Sequence, residues 1–111
     1  MQVESIQNGQ ALVITVNGRL DATTASDFES SCFELITSNA HDGIVIDLQA
    51  LEYMSSAGLR SILSLGKKLK AQGRSLVFCN LHGMVQEVFD VSGFTSIFSV
   101  YESQEEALGA I

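Results

Sequence analysis

The sequence predicts a single α/β domain spanning residues 1–111: a mixed, largely parallel sheet with helices packed on it, in the order ββαβαβαβα. Three observations carry this. An Asn8-Gly9 turn signal separates two strand-like segments near the N-terminus, the pattern of a β-hairpin. Two short apolar runs, Ile44–Leu48 and Ser75–Cys79, show almost no polar alternation, as strands buried on both faces do. Segments of helical period lie between and after them, and that alternation implies parallel strands joined by right-handed crossovers. With 111 residues, 46% of them hydrophobic and none of them proline, the chain has material for one well-formed core.

In chain order, Val3–Ile6 alternates weakly and Ala11–Val16 is rich in β-branched residues, so the two form the hairpin, and Asn17-Gly18 closes it. Asp21-Ala22-Thr23-Thr24 supplies helix N-cap chemistry for a first helix with Ala25, Phe28, Cys32, Leu35 and Ile36 on one face. The strand at Ile44–Leu48 leads through a loop to Tyr53-Met54-Ser55-Ser56-Ala57-Gly58. A second helix follows, with Leu59, Ile62, Leu63, Gly66 and Leu69 inward, and Gln72-Gly73 ends it. After the strand at Ser75–Cys79, Met84, Val85, Val88 and Phe89 form a third helical face closed by Gly93. Ile97–Val100 is a last short strand, and Gln104–Ala110 a small terminal helix.

Composition excludes several functions. Thirteen acids against six bases leave a net charge of -7, which disfavours nucleic acid. Five of the six bases (Arg60, Lys67, Lys68, Lys70 and Arg74) fall in a stretch from Tyr53 to Gln86 that has no acid. Lysines late in a helix complement its dipole; the same segment also reads as a docking face for an acidic partner surface. The N-terminus has no signal-peptide pattern and no apolar run reaches the ~20 residues of a membrane helix, so a cytoplasmic protein without membrane insertion is expected. Cys32 and Cys79 are far apart and form no C-x-x-C pair, and read as buried reduced thiols rather than metal ligands. His41 reads as an exposed turn residue and His82 as the start of the third helix. No phosphate-cradling glycine loop and no convergent acid, base and nucleophile set is present. The chain therefore reads as a binding protein without cofactor or metal rather than an enzyme.

One segment stands out. The run Asp47–Arg60 carries a buried strand into a helix that opens on two adjacent serines. One serine accounts for the N-cap, an interaction worth about 1 kcal/mol. The other is left exposed at a helix start beside Ala57 and Gly58, where small neighbours keep its hydroxyl accessible to another protein. A phosphate there would add about -1.5 to -2 charge. The helix N-terminus tolerates that charge locally, whereas an interface packed over it does not.

The run Asp47–Arg60 resembles the signature of STAS domains, in particular the bacterial anti-sigma factor antagonists. Gly18-Arg19-Leu20-Asp21-Ala22 is similar to the family's G-x-L-D-x segment, and Val85–Phe94 to its third-helix segment. The resemblance implies partner switching. The unphosphorylated antagonist binds an anti-sigma factor that is also a serine kinase of the histidine-kinase-like ATPase type, which releases a sigma factor. Phosphorylation dissolves the complex and a serine phosphatase resets it. By position the phosphoacceptor is Ser56, with Ser55 as the alternative, and Asp21, Ser55, Ala57, Gly58 and Arg60 join it on the partner-binding surface. Ser55 stands where many relatives carry an acid, and Gln49-Ala50 where a Ser-Gly is frequent. The resemblance also admits a second class: a STAS subunit of another switching pathway or of an ABC-type lipid-transport assembly, with the two serines as cap and contact surface and no phosphoswitch.

Overall fold

The hairpin, β1 (Gln2–Asn8) and β2 (Ala11–Leu20), opens the chain, followed by α1 (Ala25–Thr37), β3 (Gly43–Asp47), β4 (Leu51–Met54), α2 (Ser56–Ala71), β5 (Ser75–Cys79), α3 (Gly83–Ser92), a 3₁₀ turn at Phe94–Ser96, β6 (Ser99–Tyr101) and α4 (Gln104–Gly109). The computed structural model describes all 111 residues. The strands run in the order β1-β2-β3-β5-β6, with β1 antiparallel to β2 and every other pairing parallel. This is the mixed, largely parallel α/β sheet the sequence predicts.

Three elements differ from the expected ones. The loop expected before Tyr53 contains a strand, β4, paired in parallel with the far end of β2. Four residues are too short to show a period, and the strand's partner lies some thirty residues back along the chain. β2 is correspondingly longer than expected. Its first half takes β3 and its second half takes β4, with a register shift between Gly18 and Arg19. Asn17-Gly18 is therefore an irregularity within a strand rather than its end: Gly18 has φ +113°, a conformation only glycine adopts cheaply. The last strand starts at Ser99 instead of Ile97, because Ile97 and Phe98 both donate backbone N–H bonds to Phe94 O and close the 3₁₀ turn.

The strand at β3 is buried at every residue, as its apolar run implies. One sheet face packs against α1, α2 and α3 through Leu12, Ile14, Ile46, Phe78, Phe28, Ile62 and Phe89. Phe78 meets the Phe89 and Phe98 rings edge-on, with centroids 5.4 and 5.2 Å apart. The other face is covered over Val45, Val77 and Cys79 by Ala107 of α4. The buried stripe of α2 is Gly58, Ser61, Ile62, Leu65 and Leu69. Leu65 thus takes the central place that the sequence reading gave to Leu63 and Gly66, which lie on the stripe's flank.

Phe78→Ala is expected to lower the unfolding free energy by about 3–5 kcal/mol in urea titration. Val91→Ala, at a side chain that is 90% exposed, is expected to change it by less than about 0.5 kcal/mol. Both cysteines are free and buried. Burial pushes the Cys32 thiol up to about 12. Burial and then the neighbouring Asp47 carboxylate push Cys79 to about 12 as well. Neither thiol should react with a disulfide reagent at pH 8 until the protein unfolds, because the thiolate is the reactive species.

Candidate functional site

The site is assembled where β2 and β4 end together. Leu20 faces Met54 in the parallel register, so Asp21 and Ser55 leave the sheet side by side. The Ser55 N–H donates to Leu20 O at 2.9 Å and ties the two exits to each other. Leu20 and Met54 are buried beneath them. Arg19 and Tyr53, paired one step earlier, point to the opposite face by strand alternation, and the Arg19 guanidinium lies 4.2 Å from the Tyr53 ring centre.

The two serines are distinct. Ser55 has extended backbone (φ -95°, ψ 174°), and its Oγ accepts from Gly58 N at 3.2 Å while its carbonyl accepts from Leu59 N at 3.0 Å. It is the N-cap of α2. Ser56 is the first helical residue; its side chain is exposed and takes no part in the cap. The first turn of α2 contains no acid, so the positive end of the helix dipole is uncompensated. Arg60 is exposed and lies four residues on, on the same helix face as Ser56. Ala57 is half-buried beside them.

Gly58, expected on the partner-facing surface, is buried instead. A Cβ there would lie 2.9 Å from Leu20 O and 2.8 Å from Leu20 Cγ. The residue lets the first turn of α2 settle onto the end of β2, so it shapes the surface from below and is not a contact on it.

Asp21 is half-buried in the turn between β2 and α1. Its Oδ1 accepts from the Thr23 hydroxyl at 2.7 Å and the Thr23 amide at 2.9 Å. These bonds, the Thr23 hydroxyl first, hold the carboxyl below the usual aspartate range and keep it charged. Thr24 sits at the N-cap position of α1, but its hydroxyl turns back: it accepts from Asp21 N at 3.0 Å and donates to Arg19 O at 2.9 Å. The expected capping chemistry here fixes the turn rather than the helix.

At the C-terminal ends of β3 and β5 lies a polar cluster that the sequence pattern does not reveal. Asp47, at the end of β3, is only 8% exposed. It accepts from Gln49 N at 2.9 Å, Asn80 Nδ2 at 3.0 Å and Gln104 Nε2 at 2.9 Å. It thereby joins the ends of β3 and β5 to α4. His82, at the N-cap position of α3, bonds Gln49 O through Nε2 at 2.8 Å and braces the β3–β4 loop. His41 lies at the other end of the sheet, and it is half-buried rather than exposed, with a buried Nδ1 that has no partner. Neither histidine engages a serine. No group of His, Cys, Asp or Glu converges to hold a metal, and no helix is long and apolar enough to cross a membrane. The arrangement presents a hydroxyl, a carboxylate and a guanidinium to an outside surface, on rigid supports.

The STAS domain family model matches residues 2–107. The chain belongs to the STAS domain family. It is 37% identical to BtrV of Bordetella bronchiseptica, a protein named among the anti-sigma factor antagonists, over 99 residues that cover 89% of this chain and 84% of that protein. It is 28% identical to the anti-sigma F factor antagonist of Paenibacillus polymyxa over 108 residues, 97% of this chain and 92% of that one. Its structure is similar to the crystal structure of an anti-sigma factor antagonist from Mycobacterium paratuberculosis, with a TM-score of 0.83, 25% identity and coverage of 99% and 92% of the two chains.

In this STAS domain Ser55→Ala is expected to cost about 1 kcal/mol of stability by thermal or urea unfolding, the loss of an N-cap. Ser56→Ala should stay within about 0.5 kcal/mol of the parent. Equal costs would mean that the cap is shared between the two hydroxyls.

Proposed function

We propose that this STAS domain is an anti-sigma factor antagonist whose switch is Ser56. Unphosphorylated, it binds an anti-sigma factor that is also a serine kinase of the histidine-kinase-like ATPase type, and so frees a sigma factor in the cytoplasm. The kinase transfers phosphate to Ser56, the complex separates, and a serine phosphatase restores the hydroxyl. The domain is the substrate in this cycle and has no catalytic role. The observation that carries the reading is the division of labour between the serines: Ser55 is consumed by the cap, so Ser56 is exposed beside Asp21 at the start of α2. The names of the relatives support the same reading.

The local physics explains how one phosphate switches binding without unfolding the domain. The new charge of about -1.5 to -2 sits at the positive end of the α2 dipole, with no acid in the first turn to oppose it. Arg60, one turn on and without a carboxylate partner, is placed to pair with it. An exposed hydroxyl and a free guanidinium become a locally neutralised dianion. A partner surface fitted to the first state has to bury that charge, and burying it without a matched cation is costly.

Incubation with the cognate anti-sigma kinase and ATP should place phosphate on Ser56, read by peptide mass spectrometry; labelling confined to Ser55 would reverse the assignment, and labelling of neither would remove the switch. Ser56→Asp should weaken kinase binding at least tenfold, about 1.4 kcal/mol, in calorimetry. Ser56→Ala should bind normally and resist phosphorylation.

A further inference from the structure

The five bases of the α2 region have different fates. Arg60 stands at the Ser56 end. Lys68 makes the chain's one salt bridge, to Glu29 of α1. Arg74 donates to Ile36 O at 2.6 Å and His41 O at 3.2 Å, where it closes the end of α1. Lys67 and Lys70 are left exposed, one helical turn apart, with no carboxylate partner. Beside them runs a groove of about 440 Å³ between the C-terminal half of α2 and the segment after the 3₁₀ turn. Its floor is apolar: Leu63, Leu76, Ile97 and Phe98. Ile97 is 59% exposed there. The groove depends on Gly66, because a Cβ at that position would lie 2.5 Å from the Phe98 ring, which rests against the helix backbone.

We propose that this groove is a second docking site, for an acidic segment of a partner protein in which carboxylates alternate with apolar side chains. Complementing the α2 dipole accounts for two lysines near the helix end. It does not account for an exposed isoleucine on an apolar floor directly beneath them. A rim with two unpaired ammonium groups and the Arg74 guanidinium calls for several carboxylates at once, more than a single-headed amphiphile brings. Nucleic acid, although polyanionic, meets a protein of charge -7, and a second copy of this chain carries the same charge. A short acidic segment matches the local field and leaves most of the acidic surface at a distance. At 1.5 Å per residue, Lys67 and Lys70 lie about 17–21 Å along the helix axis from Ser56. The groove and the Ser56 surface therefore accept two partners together, and the groove's occupant is indifferent to the state of Ser56.

NMR titration of the ¹⁵N-labelled chain tests this with three synthetic probes: a peptide alternating Glu with Leu and Phe, its Gln-for-Glu counterpart, and vesicles containing phosphatidylglycerol. The acidic peptide should shift the amides of Leu63, Gly66, Leu76, Ile97 and Phe98. Binding should fall at least tenfold with the Gln peptide, fall at least tenfold in Lys67→Glu/Lys70→Glu, and stay unchanged in Ser56→Asp. No shift at the groove, or equal binding by both peptides, overturns the proposal whether or not the lysine variant folds. Groove shifts with vesicles but not peptide overturn it in favour of a lipid surface, and groove shifts on concentrating the protein alone overturn it in favour of a second copy. Because Ser56→Asp leaves the expected result intact, failure here is separable from failure of the Ser56 switch.

Discussion

Leu20 and Met54 face each other in the short parallel ladder between the end of β2 and β4, and the entry to α2 hangs on that ladder. The Leu20 carbonyl receives the Ser55 N–H, its side chain is buried under the first turn of α2, and the Gly58 Cα sits against both. One residue thus fixes where α2 begins, which serine caps it and how near Asp21 comes. A slip of one residue in this pairing would turn Leu20 outward and place a different side chain beside Ser55, since strand faces alternate. The register shift between Gly18 and Arg19, after β2 has left β3, is what brings Leu20 opposite Met54.

The polar groups at this end of the sheet are saturated. Asp47 takes three N–H donors where no cation is paired with it, and so offsets most of the cost of burying its carboxylate. His82 braces the β3–β4 loop through Gln49 O, and Thr24 locks the turn that carries Asp21. The groups left unsaturated at the surface are the Ser56 hydroxyl, the Asp21 Oδ2, on which no internal hydrogen bond falls, and the Arg60 guanidinium, the three that the proposed function assigns to a partner.

What was legible in the sequence follows local physics. The β3 run and the Val77–Cys79 part of β5 announce themselves because burial on both faces removes polar residues. The double serine announces a helix start because capping needs a side-chain oxygen there. Which serine caps was not legible, since it depends on the backbone at Ser55, set by the pairing of β4. That strand was itself hidden, four residues long with a remote partner. The burial of Gly58 is illegible for the same reason: small residues suit an exposed contact and a tight internal approach equally, and only the position of Leu20 decides between them. The half-buried His41 and the groove beside Ile97 likewise arise from chain segments that meet only in three dimensions.

The charges of α2 also bear on why the proposed switch is compatible with a stable fold. Its last turn holds Lys68 and Lys70, which complement the negative end of the helix dipole, while its first turn is free of acids and leaves the positive end uncompensated. A phosphate at Ser56 adds an anion where the dipole favours one, and Arg60 offers it a partner within the helix. The hydrophobic stripe from Ile62 to Leu69 lies on another face and is untouched. Modification at this position therefore leaves the folding equilibrium nearly unchanged, or raises stability slightly, while altering the surface a partner meets. A serine placed at the opposite end of the same helix would bring its phosphate to the negative pole and strain the fold instead. Under the proposed switch, the location of the hydroxyl, more than its identity, is what would separate signalling from stability.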